Sequence, residues 1–355
     1  MFKIISKSLW LLLFSVVICC VIYPLVLWGI GQTVFPFQAN GSIVNGPDGK
    51  PVGSLLIAQP FAKPEHFTPR PSAISTPYDA TSSTSSALAV SNYALRDRVA
   101  NALGPVVTYK TGPKKDQNVA PDVEEWFHKD KFQGQPSIVA QWADLHNSVA
   151  QGWVGTTFDA KNPTPQQQYV LDWEKTHAAI VEKFKKDNPD NSDPSPSDLA
   201  MVFFESFSKE HPGKFPSSVT HMSADGKTST TAIEPVDKGS DTQTDIQAHF
   251  FDMWLTDNPT VELNDVPGDW ATTSGSGLDP HITLANAMFQ LDGVAGAWAK
   301  DTKADVKKVH DEIETLLKEK SSAPLGGAWG EPMVNVLEIN LALDNKYGAT
   351  TGGKP

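Results

Sequence analysis

Residues Leu9–Ile30, LWLLLFSVVICCVIYPLVLWGI, decide how the rest of the chain is read, because these 22 residues carry no charge. As a helix at 1.5 Å per residue they span roughly 33 Å, enough to cross a hydrocarbon core of about 30 Å. The charge-free stretch extends from Ser8 to Pro47. Pro24 is expected to kink the helix, which membrane helices tolerate. Trp10, Tyr23 and Trp28 are aromatics of the kind found near membrane interfaces. A cleaved signal peptide has a shorter apolar region, typically about 7–15 residues, and a small-x-small cleavage site that is missing here. A lipoprotein anchor at Cys19 or Cys20 is disfavoured by Ile18 before the pair and by the apolar run Val21–Ile30 after it. Lys3 and Lys7 precede the helix, and no Lys or Arg follows until Lys50. The positive-inside tendency therefore places residues 1–8 in the cytoplasm and the bulk of the chain outside. No second run of this length exists, so a single crossing is expected.

The chain has 355 residues, 40% hydrophobic and 20% charged, and a formal net charge of −12. That charge argues against a general nucleic-acid binder, which carries a basic face. The only two cysteines, Cys19 and Cys20, are adjacent inside the apolar run. The rest of the chain is indifferent to redox compartment.

Beyond the anchor, GSIVNGPDGKPVGSLLIAQ reads as a β-hairpin. Ile43 and Val44 precede the turn Gly46-Pro47-Asp48-Gly49, and Val52 and Leu55–Ile57 follow it. TSSTSSALAVSN, residues 81–92, reads as a polar loop that caps the helix NYALRDRVANAL. The middle is different in character, with apolar residues at helical spacing. These are Ile138, Trp142, Leu145, Val149 and Trp153; Tyr169, Trp173, Ile180 and Phe184; and Ile246, Phe250 and Trp254. Core packing explains such aromatic stripes better than a ligand box does. NPDNSDPSPSD (188–198) and SADGKTSTTAIEPVDKGSDTQ (223–243) are loop-like by composition. In the last third, Asp279 and Pro280 are expected to start a helix as N-cap and first residue. Leu284, Met288, Leu291 and Val294 continue along one face. Val306, Val309, Ile313 and Leu316–Leu317 mark a second helix. EPMVNVLEINLALD fits a helix or a strand, and Pro332 in a first turn favours the helix.

The motifs of chemistry fail one by one. GKT at Gly226–Thr228 would need a glycine where His221 stands to be a phosphate loop. Ser276 sits directly between Gly275 and Gly277, which is not the Gly-x-Ser-x-Gly spacing of a hydrolase elbow. The nine histidines form neither His-x-x-x-His nor His-Glu-x-x-His, so no metal site is expected. Ser276, Asp279 and His281 remain as the residues of an alternative reading, a membrane-anchored extracytoplasmic hydrolase, although such triads are not readable from proximity in sequence.

Several segments resemble the KdpC family, the small C subunits of the bacterial high-affinity potassium-transporting Kdp P-type ATPase. They are YPLVLWGIGQTVFPFQANGS (23–42), GSLLIAQPF (53–61), HFTPRPSA (66–73), SNYALRDRV (91–99), SGSGLDPHIT (274–283) and GEPMVNVLEINLALD (330–344). The glycine-rich segment usual in the family is replaced by residues 81–92, which contain no glycine. The long middle is absent from shorter members.

The resemblance implies an α+β protein, with one transmembrane helix followed by an extracytoplasmic α/β domain that carries a mainly helical insertion. Its expected segments are a cytoplasmic N-terminus (1–8), the membrane helix (9–30), the first part of the domain (31–104), the insertion (105–269), the second part (270–345) and a flexible tail (346–355). It also implies a non-catalytic subunit in the bacterial inner membrane. This subunit stabilises the assembly of a channel-like potassium-translocating subunit with an ATP-hydrolysing one, and acts as a catalytic chaperone that raises the pump's ATP affinity. ATP and potassium then belong to the complex, and no cofactor or metal is expected on this chain. The Asp-Lys-Thr-Gly-Thr phosphorylation signature is absent, the nearest string being DKGS at Asp237. Residues expected at partner contacts, by their place in family-like motifs, are Tyr23, Pro24, Gln38, Asn40, Gly41, Ser42, Arg70, Pro71, Ser72, Asn335, Glu338 and Asn340. A third reading makes the insertion a separate binding module.

Overall fold

The computed structural model describes residues 2–46, 49–74, 76–129, 137–222, 229–237, 245–323, 327 and 330–348. Within these the chain divides into two compact units. One joins Met1–Ser86 to Pro267–Pro355, and the other is Ala87–Val266.

In the first unit the anchor runs without interruption from Lys3 to Val34, and none of its apolar window is buried. It comprises α1 (Phe2–Val17), a π-helical turn (Ile18–Ile22) and α2 (Tyr23–Val34). The expected irregularity falls just before Pro24. That residue has no N–H to donate, and the wider turn adjusts the ladder there. A short α3 (Pro36–Ala39) leads into the hairpin of β1 (Ile43–Asn45) and β2 (Pro51–Ser54), paired antiparallel with Val44 opposite Gly53. Leu55–Ile57, expected in the second strand, instead turn away, and Ile57 N–H donates to Ser54 O. The tip residues Pro47 and Asp48 lie outside the described residues.

The second unit contains α4 (Tyr93–Leu103), α5 (Ala120–His128), α6 (Ile138–Leu145), α7 (Asn147–Val154), α8 (Pro165–Thr176), α9 (Ala178–Asp187) and α10 (Ala200–Glu210). The hairpin of β3 (Phe215–Met222) and β4 (Ser229–Val236) follows, and then α11 (Asp245–Asp257). Asn92 caps α4 as the sequence suggests, its Oδ1 accepting from Ala94 N–H at 3.0 Å. The sequence groups α4 with the first segment, but here it packs against α11. Ser229–Val236, read as loop, is a strand paired with β3 from Phe215↔Val236 to Met222↔Ser229. Its threonines, Ile233 and Val236 suit a pleated surface, and the long partner overrides the polar composition. The aromatic stripes form core. Trp142, fully buried, has Phe204, Phe215 and His249 within 5.1–5.3 Å between ring centroids, and Phe250 at 5.8 Å.

The chain returns to the first unit through α12 (Gly268–Ala271), β5 (His281–Thr283), α13 (Leu284–Thr302), α14 (Val306–Lys320), β6 (Met333–Asn335) and α15 (Val336–Tyr347). Asp279 and Pro280 do not start a helix. Residues 281–283 pair with β6, Pro280 O accepts from Val336 N–H, and the cap of α13 is Thr283, whose Oγ1 accepts from Asn286 N–H. Likewise Pro332 precedes a strand, and α15 begins after its cap Asn335, whose Oδ1 accepts from Glu338 N–H. In both places strand pairing across a long separation overrides a local helix-start signal. Val309, Ile313 and Leu317 are buried as expected, whereas Val306 is exposed. The tail read from Lys346 is helical through Tyr347, which packs on Trp298; residues 349–355 lie outside the described residues.

Replacing Trp142 by alanine removes the centre of the aromatic core, and large-to-alanine aromatic truncations cost about 3–5 kcal/mol. We expect W142A to lower unfolding stability by that amount in urea titrations followed by near-ultraviolet dichroism. A change within about 0.5 kcal/mol would contradict this account of the core.

Candidate functional site

From Leu55 to Asn92 the described chain forms no helix or strand. An irregular backbone that enters a core must find other partners for its N–H and C=O groups, and residues of the family-like motifs supply them. Asn340, fully buried on α15, accepts from Phe67 N–H and donates to Phe67 O, both at 2.9 Å. The two bonds hold Phe67 inside the core formed by Ile282, Leu291, Trp298, Ile313 and Leu343. Next along the chain, Gln290 accepts from Thr68 N–H and donates to Thr68 O. Arg70 donates to the main-chain oxygens of Thr272 and Thr273, the latter at 2.9 Å. Ser72 Oγ donates to Gly277 O at 2.8 Å and accepts from Ile74 N–H.

The glycine–serine stretch is the other half of this seam. Gly277 has φ +70, and a Cβ there would lie 2.9 Å from Ile74 Cγ1 and Thr84 O, so only glycine fits. Its neighbours Leu278 and Ser276 offer carbonyls to Ala58 and Thr84 N–H. Asn335 donates to Leu55 O at 2.8 Å. Asp279 turns back on its own chain, accepting from His281 N–H at 3.0 Å with His281 Nδ1 also 3.0 Å away. The His281 contact and the positive Arg70 hold the Asp279 carboxyl below the ordinary carboxylate range.

The expected partner residues therefore separate into two groups. Arg70, Ser72, Asn335 and Asn340 face inward and tie the unit together. Pro71, half-buried, lies between two of them, and Glu338 pairs with Lys320 at 2.8 Å. Ser42 is buried with φ 50, next to Gly41 at φ 82, and Ser42 O accepts from Leu55 N–H. Tyr23, Pro24 and Gln38 are exposed along the anchor and α3, and exposed Asn40 donates to Pro36 O. The hydrolase reading is not assembled. Ser276 Oγ accepts from Leu278 N–H, His281 Nε2 faces Asn335, and among the described residues no hydrogen bond links Ser276 to His281. One further group, Asp97, His146 and Asp252, was not foreseen from sequence and is brought together by the fold of the other unit. Their separations in sequence match no motif.

Two outcomes test the seam. Asn340→Ala strands the buried N–H and C=O of Phe67, at about 1–3 kcal/mol each. We expect a loss of about 2–6 kcal/mol in thermal unfolding of the detergent-solubilised chain. For Asp279, a lowered carboxyl contributes stability that is fully present above its unfolded-state pKa and fades as pH falls through its folded-state value. The stability gap between wild type and Asp279→Asn should thus be widest near neutrality and close in acid. A gap independent of pH would show that the carboxylate charge contributes nothing.

Comparison with known proteins follows the same segments. The family described as K+-transporting ATPase, c chain, matches residues 5–125 and 217–345. A potassium-transporting ATPase KdpC subunit of Caulobacter vibrioides is 48% identical over 325 residues, covering 92% of this chain and 84% of the relative. KdpC subunits of Clostridium kluyveri, 24% identical over 98% of this chain and 96% of theirs, and of Ralstonia nicotianae, 25% identical over 91% and 81%, align along nearly the whole length, the middle included. The chain belongs to the KdpC family, as a long-form C subunit of potassium-transporting ATPases.

Proposed function

We propose that this subunit of the potassium transport system is a non-catalytic assembly factor, anchored once in the inner membrane with its N-terminus in the cytoplasm. The observation that carries the reading is the anchor, an apolar helix of 32 residues with none of its hydrophobic window buried by the rest of the chain. Such a helix needs lipid and neighbouring helices to cover it. Its exposed Tyr23 and Trp28, together with Gln38 beyond its end, face whatever packs there. The partners in this reading are a channel-like potassium-translocating subunit and an ATP-hydrolysing one. Lys3 and Lys7 keep residues 1–8 on the cytoplasmic side. In this topology the residues after the anchor lie across the membrane from the cytoplasmic ATP. The catalytic-chaperone effect, a rise in ATP affinity, then reaches the hydrolysing subunit as coupling free energy through the complex. ATP and potassium are bound by the complex rather than by this chain.

In a background with Cys19 and Cys20 replaced by serine, Lys50→Cys should react with a membrane-impermeant maleimide from outside intact spheroplasts, and Ser6→Cys only after lysis. The reverse pattern overturns the orientation. Mild detergent extracts captured through this chain should contain two larger membrane subunits, and deleting the chain should abolish growth at micromolar potassium. Normal uptake without it would remove the assembly role.

A further inference from the structure

In the unit Ala87–Val266, three helical elements converge on one histidine. His146 stands at the break between α6 and α7, with φ −119 and ψ 45. Its Nδ1 lies 2.6 Å from Asp97 Oδ1 on α4, and its Nε2 lies 3.2 Å from Asp252 Oδ2 on α11. The three side chains are only 9%, 5% and 11% exposed. The short contact to Asp97 fixes a proton on Nδ1, which leaves the Nε2 lone pair as the free end of the neutral ring. That end faces a second carboxylate. An acceptor buried against an acceptor needs a cation to compensate it.

One candidate cation is a proton: burial opposes a charged ring, but the neighbouring Asp252 and Asp97 carboxylates raise the His146 pKa. Yet Nε2 makes no well-aligned hydrogen bond among the described residues, although Asp252 Oδ2 lies 3.2 Å away. A metal ion suits it well. Bonds of about 2.0–2.2 Å meeting at 90–109° put neighbouring donor atoms about 2.8–3.6 Å apart, off each other's bonding axes. The observed 3.2 Å is such an edge. Asp97 then plays the outer carboxylate that orients a metal-binding imidazole. The open side leads into a cleft of about 320 Å³, where Gln141, Thr256 and Asp257 leave room for water ligands. Arg96 Nη2, 3.5 Å from Asp252, competes from the solvent side, but its side chain is 57% exposed and can rotate away. With a neutral imidazole, two carboxylates and a divalent ion sum to zero charge.

We propose that His146 Nε2 and Asp252 bind a divalent transition-metal ion in the middle unit, with Asp97 holding the imidazole in place. An imidazole beside a carboxylate favours Zn²⁺, Co²⁺ or Ni²⁺ over the oxygen-seeking Mg²⁺ and Ca²⁺. The site is independent of the assembly reading above and of membrane orientation.

The untagged full-length chain in detergent micelles is titrated with Zn²⁺ by calorimetry and with Co²⁺ by visible absorption. One ion per chain is expected. The zinc-edge X-ray absorption spectrum should show one imidazole nitrogen among oxygen ligands. His146→Gln, with unchanged far-ultraviolet dichroism, should abolish binding, and Asp97→Asn should weaken it about 10–100-fold. No saturable binding below millimolar metal, or binding unaltered in His146→Gln, overturns the proposal. Should that variant misfold, the wild-type spectrum decides alone, since a shell of oxygens only or of several imidazoles also overturns it.

Discussion

The double hydrogen bond between Asn340 and the main chain of Phe67 is the interaction on which the first unit depends. It solves a general difficulty. A stretch of nearly forty residues without helix or strand must satisfy its backbone before it can enter a core. Here the satisfaction comes from side chains and carbonyls supplied after residue 267. Asn340, Gln290 and Asn335 reach the irregular segment from helices or their caps, and Arg70 and Ser72 reach back to the loop 272–277. Only short strands are then needed. Among these residues, Arg70, Ser72, Asn335 and Asn340 lie in the short family-like motifs along the sequence.

The anchor obeys a different rule. Inside a bilayer no water replaces a lost hydrogen bond, so the backbone must satisfy itself. Pro24 removes one donor, and the π turn at Ile18–Ile22 redistributes the ladder immediately before it, with Tyr23 N–H reaching Ile18 O. Length is not limiting, because 32 helical residues reach about 48 Å, more than a hydrocarbon core requires. The helix therefore has length to spare beyond a hydrocarbon core, with Lys3 and Lys7 toward one end and Gln32 toward the other.

What could be read from sequence was local. The anchor is legible from length and lack of charge. The cap Asn92 and the buried row Val309, Ile313 and Leu317 follow from short-range pattern. The aromatic stripes around Trp142 are recognisable as core from their helical spacing. Failures came where strand pairing decided. Asp279-Pro280 is a sound helix-start signal, but the strand formed by residues 281–283 with 333–335 claims the backbone first. Ser229–Val236 reads as loop until Phe215–Met222 lies beside it. The site residues divide in the same way. Membership of a motif marked Asn340 and Arg70 as important, but only the fold shows that they face inward. Asp97, His146 and Asp252 stand 49 and 106 positions apart along the chain, and no periodicity connects them.

The interruption of the first unit by the second has a consequence in time. Residues 87–266 are 180 positions of continuous chain placed between two halves that complete each other. At about 5–20 residues per second, their synthesis takes roughly 9–36 s. Throughout that interval the segment around Phe67 has been made, while the amide that will hold it has not. Its backbone must stay hydrated and its phenyl ring unburied until the chain after residue 266 follows, whereas the middle unit has every residue that it needs to fold as soon as residue 266 is made. The order of events on the ribosome is thus inverted relative to the order of the sequence, and the part of the first unit made before the middle unit is the last to become native.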